Sequence, residues 1–502
     1  MNTKSYFILI ILFYVLILVV QYYLVDVMTG ILYGFNFLFL LGILLLFVKI
    51  EKKTNRDLYS HWARPSNILA ISLLIVNLQI IACVWIGYDT ISNYLETTKY
   101  SNYISKVFYA GLIGICCYLM GYSWTKHKVN AQSTKLTDVT NPKILLSCLV
   151  LMCFLLFLVN IDLVSFLTGM DYEGSGAADR TASASAIWET LLDTFLTIEV
   201  AYVTKNASNS ENKITIYKYV KLFPFLIWVV VILYMSLRLI SGDRGPVIYT
   251  GLMFFYSYIM IVKKKIKLTT LVALMLIGAV SMTVINSVRS YRNYNQSFQE
   301  KVLRSFGDFK DNNGPKTFSP FTHELAKSVN CNFIAIYDVN EGKTDLKYGF
   351  YNFCELAGCI PGSAKLFKSF FDLDIYRTVT SEYVTISFLG KNYLIGLGTT
   401  AIVDFYLDFG LLGIILGMFL LGLTYRKIDS MLIEKVSSIF LLIFFLKFAS
   451  MAIYIPRSSF SFVLNRCLYI CVCYVFVYVL ANITSSFRKN HNRYSSMSPC
   501  NT

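Results

Sequence analysis

Apolar positions in this chain run in long unbroken windows, unlike the alternating or one-sided patterns of soluble strands and helices. About twelve windows approach the roughly 20 residues a helix needs to cross the hydrocarbon of a bilayer. The first is Tyr6–Val25, the sixth Ala186–Val203, the seventh Leu222–Ile240 and the ninth Leu268–Val288; the last three are Tyr406–Tyr425, Ser437–Ile455 and Phe460–Ala481. Asp26-Val27-Met28-Thr29-Gly30 follows the first window where a small-residue cleavage site would stand, so that window is expected to remain as a helix. Residues 289–395 interrupt the series with a polar-to-mixed stretch, too long for a simple connection.

The pattern predicts an all-α polytopic membrane protein in four parts. Residues 1–288 hold transmembrane helices one to nine, 289–395 form a large extracytoplasmic loop, 396–484 carry a glycine-and-acid motif with the last three helices, and 485–502 are a tail. Within the loop, His323 to Asp338 and Glu382 to Leu389 read as short ordered pieces.

Composition agrees. With 56% hydrophobic residues, 16% aromatics and a mean hydropathy of +0.57, the chain has more apolar surface than a soluble core of its size could bury. Its net charge of +15 would suit a nucleic-acid binder if it covered one surface of a soluble domain. It does not: the basic residues cluster in alternate loops, as in Lys52, Lys53, Arg56 and Arg64, in Lys263, Lys264, Lys265 and Lys267, and in Arg426, Lys427 and Lys435. This positive-inside bias places both termini in the cytoplasm and residues 289–395 outside, and argues against nucleic acid as a partner. Most of the cysteines lie in the apolar windows; Cys331, Cys354 and Cys359 fall in the outer region, where one disulfide and one leftover thiol are possible.

Against this background the stretch GLGTTAIVDFYLDFGLLG, Gly396 to Gly413, stands out, because it keeps Asp404 and Asp408 within an apolar run. Four residues apart on a helix, the two acids share a face. Carboxylates near lipid are kept where they meet a partner, a watery cavity or a substrate. Asp404, deeper in the motif, is the better candidate for a base that accepts a proton from a hydroxyl, with Asp408 and Tyr406 beside it; packing against an outer arginine is the plain alternative for either acid. Arginines stand at several outer helix ends: Arg238 and Arg244 in SLRLISGDRGP, Arg289 and Arg292 after the ninth window, and Arg457 in Ile455-Pro456-Arg457. The positive-inside rule does not call for cations there. Either they anchor separately at the interface, or they converge on an anion such as a diphosphate, which a guanidinium grips with a bidentate fork. Within the membrane, Glu189, Asp193 and Glu199 lie along one side of the sixth window and Lys447 and Arg466 within the last two, so buried pairing is expected. His323-Glu324 is not a zinc-protease motif, because Lys327 occupies the place of the second ligand; no metal site, phosphate-binding loop or dinucleotide fingerprint is present.

These features resemble the Wzy-type oligosaccharide repeat-unit polymerases of O-antigen and capsule assembly. The resemblance rests on the SGDRGP turn at Ser241 to Pro246, the arginine pair after the ninth window and the Gly396–Gly413 motif, in which Asp404 stands where many relatives have Glu. It implies a GT-C-like helical bundle in a bacterial inner membrane that polymerises undecaprenyl-diphosphate-linked repeat units by inverting, metal- and cofactor-independent glycosyl transfer at the outer face. Asp404, Arg289 and Arg244 would be catalytic, and Arg292, Arg457, Arg238, Asp408 and Tyr406 would bind diphosphate or glycan. The implied partners are lipid-linked glycans, membrane lipids, and a chain-length regulator or other envelope-polysaccharide assembly proteins. A glycan ligase and a flippase or polysaccharide transporter remain the alternatives.

Overall fold

The computed structural model describes residues 3–25, 29–54, 62–95, 98–124, 142–161, 184–208, 215–241, 243, 245–262, 269, 322–360, 362–375, 378–391, 396–432 and 438–495. Among these every regular element is helical. Eight helices are long and apolar enough to cross a membrane: Thr3–Leu24, Gly30–Lys52, Pro65–Trp85, Ser101–Trp124, Lys143–Asn160, Gly245–Val262, Ala401–Ser430 and Ser461–Ile483. Phe225–Ser241 and Ile439–Met451 are apolar but shorter. Ala184–Ser208 has the length but carries Glu189, Asp193 and Glu199. The protein is thus a multi-pass membrane protein with a helix at each described apolar window; the ninth window lies almost wholly outside the described residues.

Of the sixth window's acids only Asp193 pairs with Lys447 and Arg466 as expected; Glu189 engages Arg238 instead, and Glu199 is held by a hydroxyl with no cation within ion-pair distance among the described residues. Asp193 engages Lys447 and lies 3.8 Å from Arg466, while Ser147 donates to Glu199 at 2.9 Å. Without partners, such groups would be costly in an apolar bundle; with them, they fasten Ala184–Ser208 to its neighbouring helices.

The closest packing joins Ser101–Trp124 to Ala401–Ser430. A Cβ on Gly121 would lie 2.0 Å from the Phe419 carbonyl oxygen, and one on Gly422 2.2 Å from that of Tyr118. Glycine at both positions brings the two backbones together, which is how membrane helices gain van der Waals contact where lipid supplies no hydrophobic drive.

Ala401–Ser430 is not one straight rod, as the window Tyr406–Tyr425 had suggested. Gly410 takes φ 60 and ψ −144, a conformation open essentially to glycine. Phe405 and Gly417 would stand about 18 Å apart on a continuous helix. Instead, a Cβ on Gly417 would meet the Phe405 ring at 2.4 Å, and one on Gly413 would meet the Phe405 carbonyl oxygen at 2.1 Å. Residues 401–409 therefore fold back along residues 411–430 as a short re-entrant helix. Hydropathy could not show this, because both arms of the reversal are apolar.

The re-entrant helix begins inside the bundle. Ile402 packs 3.1 Å from a Cβ placed on Gly114, and the Thr400 hydroxyl donates to Asn332 at 2.6 Å. Asn332 in turn donates to Asn77 at 3.0 Å, and Asn77 lies against Gly111, about 10 Å along the helix from its start at Ile104. Asn332 sits on Val329–Asn340, buried from Val329 through Ile336, so this part of the 289–395 stretch is packed among the membrane helices. Cys331, Cys354 and Cys359 are all buried free thiols, with no disulfide among them.

Candidate functional site

The break at Gly410 creates the site. Stopping the helix there removes the usual partners of the Leu407 and Asp408 carbonyls; the backbone N–H groups of Lys347 and Tyr348 take their place at 2.9 and 2.8 Å. The Asp408 carboxylate accepts from the N–H groups of Tyr351 at 3.1 Å and Asn352 at 2.8 Å, the free donors in the first turn of Phe350–Gly358. An anion at a helix N-terminus satisfies orphan donors and meets the positive end of the helix dipole. Asp408 thus serves as an external cap that docks one helix on another.

One turn earlier, Asp404 faces the same helix, as the four-residue spacing predicts. It is fully buried. Thr399 donates to its Oδ1 at 2.8 Å, the Phe460 N–H donates to its Oδ2 at 2.9 Å, and Thr380 Oγ1 contacts Oδ1. The same Thr380 Oγ1 lies 2.7 Å from Oε1 of Glu355, the residue of Phe350–Gly358 that turns inward. The Ser459 hydroxyl caps the other Glu355 oxygen. Two carboxyls from different segments therefore share one hydroxyl, and among the described residues no cation lies within ion-pair distance of either. Burial pushes the Glu355 carboxyl above the ordinary glutamate range, against the smaller opposing effect of the Ser459 and Thr380 hydrogen bonds.

Sequence reading missed Glu355, although a signal was present: FYNFCELAGC is an amphipathic stretch with one carboxylate among its inward positions. Tyr351, Cys354 and Glu355 are buried, whereas Phe350, Phe353 and Leu356 are exposed. Phe350–Gly358 separates the acid pair from the surroundings, and its outer face is apolar. Nearby, a Cβ on Gly349 would lie 3.0 Å from Phe409, and Leu412 and Leu416 are exposed farther along the motif helix.

Arg457 stands on the segment that completes the site. Its turn, Ile455–Arg457, leads into Ser459 and Phe460, which contact Glu355 and Asp404. Its half-buried guanidinium lies 5.6 Å from the Tyr454 ring centroid and, among the described residues, has no ion-pair partner. Arg457 and Asp404 both act electrostatically on the Cys331 thiol, whose Sγ is 3.7 Å from the Gly398 carbonyl.

The other candidates separate. Arg238 is held by Glu189 and lies 3.6 Å from Asp243, the local-pair arrangement. Tyr406 points away from the acids: its hydroxyl lies 2.7 Å from that of Tyr22 and accepts from Asn340 at 3.2 Å, so it ties the re-entrant helix to Thr3–Leu24 and Val329–Asn340. Arg244, Arg289 and Arg292 lie outside the described residues. The chain neighbours of Arg244 are described: a Cβ on Gly245 would be 3.0 Å from the Tyr454 hydroxyl and 3.4 Å from Asp243 Oδ1.

No curated protein and no solved structure matches the chain. A family model described as O-antigen polysaccharide polymerase Wzy matches residues 5–490, nearly the whole length and including every residue of the site just described. The broken motif helix, its acids and the span-rich bundle that holds them are therefore those of a chain that belongs to the O-antigen polysaccharide polymerase Wzy family.

Proposed function

We propose that the protein joins undecaprenyl-diphosphate-linked oligosaccharide repeat units into O-antigen or capsular polysaccharide, by inverting glycosyl transfer at the outer face of the bacterial inner membrane. An acceptor sugar hydroxyl attacks the anomeric carbon of the donor glycan from the side opposite the diphosphate. The carbon–oxygen bond to phosphate breaks, and its electron pair leaves with the lipid diphosphate. Asp404 takes the hydroxyl proton as attack proceeds. Arg457 stabilises the charge that develops on the departing diphosphate, a term that grows as the bond breaks and so lowers the barrier. Arg244, Arg289 and Arg292 are proposed to join Arg457 around the same anion; the placement of Asp243 and Gly245 at Tyr454 supports this for Arg244. Arg238, already engaged by Glu189, has a supporting place in this reading.

One observation carries the reading: the motif acid Asp404 is buried without a cation, while the guanidinium of Arg457, three residues before the Phe460 N–H that binds Asp404, has no carboxylate of its own among the described residues. A structural ion pair would have brought the two together. Their separation leaves an acid for a hydroxyl and a cation for an anion.

The test uses full-length protein in liposomes with lipid-linked repeat units and no nucleotide. A ladder of growing lipid-linked glycans is expected. Transfer only to a different acceptor would make the protein a ligase, and movement of substrate across the bilayer without a new glycosidic bond would make it a transporter; either result overturns the polymerase assignment.

A further inference from the structure

We propose that Glu355 is a positioning residue that shares a single proton with Asp404 through the Thr380 hydroxyl, so that the site rests with one of its two carboxyls protonated. The inference builds on the polymerase reading but stands on separate geometry. Thr380 Oγ1 has one hydrogen and is in hydrogen-bond contact with Asp404 Oδ1 and Glu355 Oε1 at once. Were both acids ionised, one contact would be oxygen against oxygen with no hydrogen between them, and two like charges would face each other across one hydroxyl in a buried site. One proton resolves both problems: a carboxyl O–H donates to Thr380, and Thr380 donates to the carboxylate opposite.

The remaining donors favour the charge on Asp404 and the proton on Glu355. Asp404 keeps the Thr399 hydroxyl and the Phe460 N–H, and Glu355 keeps the Ser459 hydroxyl, which is itself 2.8 Å from that of Ser461. The surrounding titratable and charged groups are few. Cys354 lies on the Glu355 helix and Cys359 just beyond it, Asp408 on the re-entrant helix, Cys331 on Val329–Asn340, and Arg457 on the turn before Ser459; Lys365 and Lys368 of Ser363–Phe371 are exposed. Asp408 is occupied by its two backbone donors. The proton resting in the pair therefore has Glu355 and Asp404 as its owners, and burial raises the affinity of Glu355 for it.

During transfer the acceptor hydroxyl gives its proton to Asp404, the ionised member while Glu355 holds the resting proton, as the new carbon–oxygen bond forms and the diphosphate leaves. The pair then holds two protons, and loss of one to water restores the resting state. Glu355 keeps the charge of the pair at one and holds Thr380 toward Asp404 without touching substrate.

The experiment measures elongation across pH for wild type, Glu355→Gln and Asp404→Asn, all full length in liposomes. Wild type should fall off on the alkaline side as the shared proton is lost. Glutamine is a neutral isostere of the protonated acid, so Glu355→Gln should slow elongation by at most about tenfold, short of the 10²–10⁴-fold that loss of a general base costs, and should lack the alkaline fall. A Glu355→Gln profile that superimposes on wild type, complete inactivity of a folded Glu355→Gln protein, or its failure to fold would each overturn the proposal, because a neutral group at 355 is what the resting state already contains. Thermal unfolding against pH decides the pair without any activity. A carboxyl whose folded affinity for protons is raised stabilises the fold below the ordinary glutamate range, and that stability is lost as pH climbs through the raised value. Wild type should lose more stability over this range than Glu355→Gln, in which that one titration is gone; equal slopes would overturn the shared proton even if wild type builds long ladders. Conversely, the expected slopes with no ladder would leave the shared proton standing and reject the polymerase.

Discussion

Two buried groups of charges lie along the motif helix, roughly 20 Å apart on its axis, and they are built in opposite ways. Toward its C-terminal end, Arg426 pairs with Glu51 at 2.9 Å, and Lys4 lies 3.5 Å from the same carboxylate. Arg64 donates to Tyr122 at 3.3 Å, and Tyr122 donates to Asp429 at 2.8 Å, with Ser66 supplying two further donors. Cations and anions there are joined directly or through one phenol, and the group fastens five helices. At the other end, Asp404 and Glu355 face each other over a hydroxyl while Arg457 stands without an anion among the described residues. In the first group each charge is satisfied by a partner within the protein; in the second the acids and the guanidinium are kept apart, which is the arrangement the proposed chemistry needs.

Mirror substitutions should break this comparison most sharply. Arg426→Ala leaves the buried Glu51 with only Lys4 and should cost up to about 3–5 kcal/mol, the usual penalty for breaking a buried pair; accumulation in membranes and the thermal midpoint should both fall sharply. Arg457→Ala should leave the thermal midpoint nearly unchanged, within about 0.5 kcal/mol, while elongation falls about a hundredfold, or about 3 kcal/mol of lost electrostatic stabilisation. If Arg457→Ala unfolds the protein and Arg426→Ala does not, the assignment of roles is reversed. Next in size, Gly410→Ala forces a side chain into a strained conformation at a cost of about 1–3 kcal/mol and should reduce elongation together with stability, because the reversal aims Asp404 at Glu355. The smallest effect belongs to Asp408→Asn. Loss of the charge-assisted cap on Phe350–Gly358 should cost about 1 kcal/mol and lower elongation only in part, as read by thermal unfolding and ladder length.

Much of the fold was legible in the chain, because a bilayer imposes a period and length that few other environments do. Asp193 of the sixth window pairs with Lys447 and Arg466 for the reason the sequence suggests: ionised groups among apolar helices must find one another. The shared face of Asp404 and Asp408 was also readable from their spacing. Three things were not. The reversal at Gly410 depends on one backbone conformation and on Gly413 and Gly417 admitting Phe405, and an apolar window looks the same whether straight or folded back. Glu355 reaches Asp404 through tertiary packing of a segment 49 residues away. The Arg238 pairing with Glu189 joins different helices, so at the sequence level Arg238 looks as available as Arg457.

The central claim is that the buried acid of the motif serves chemistry and not cohesion. Asp404→Asn keeps the shape of the side chain and removes one carboxylate from a site that holds two, so the protein should unfold at the wild-type temperature or above it. The decisive measurement is single-turnover joining of two lipid-linked repeat units by Asp404→Asn and wild-type protein in the same liposomes, with thermal unfolding recorded on the same samples. The account predicts an intact fold with joining lost by at least about a hundredfold. An Asp404→Asn protein that joins units at the wild-type rate, or one whose lost activity is matched by lost stability, would contradict it.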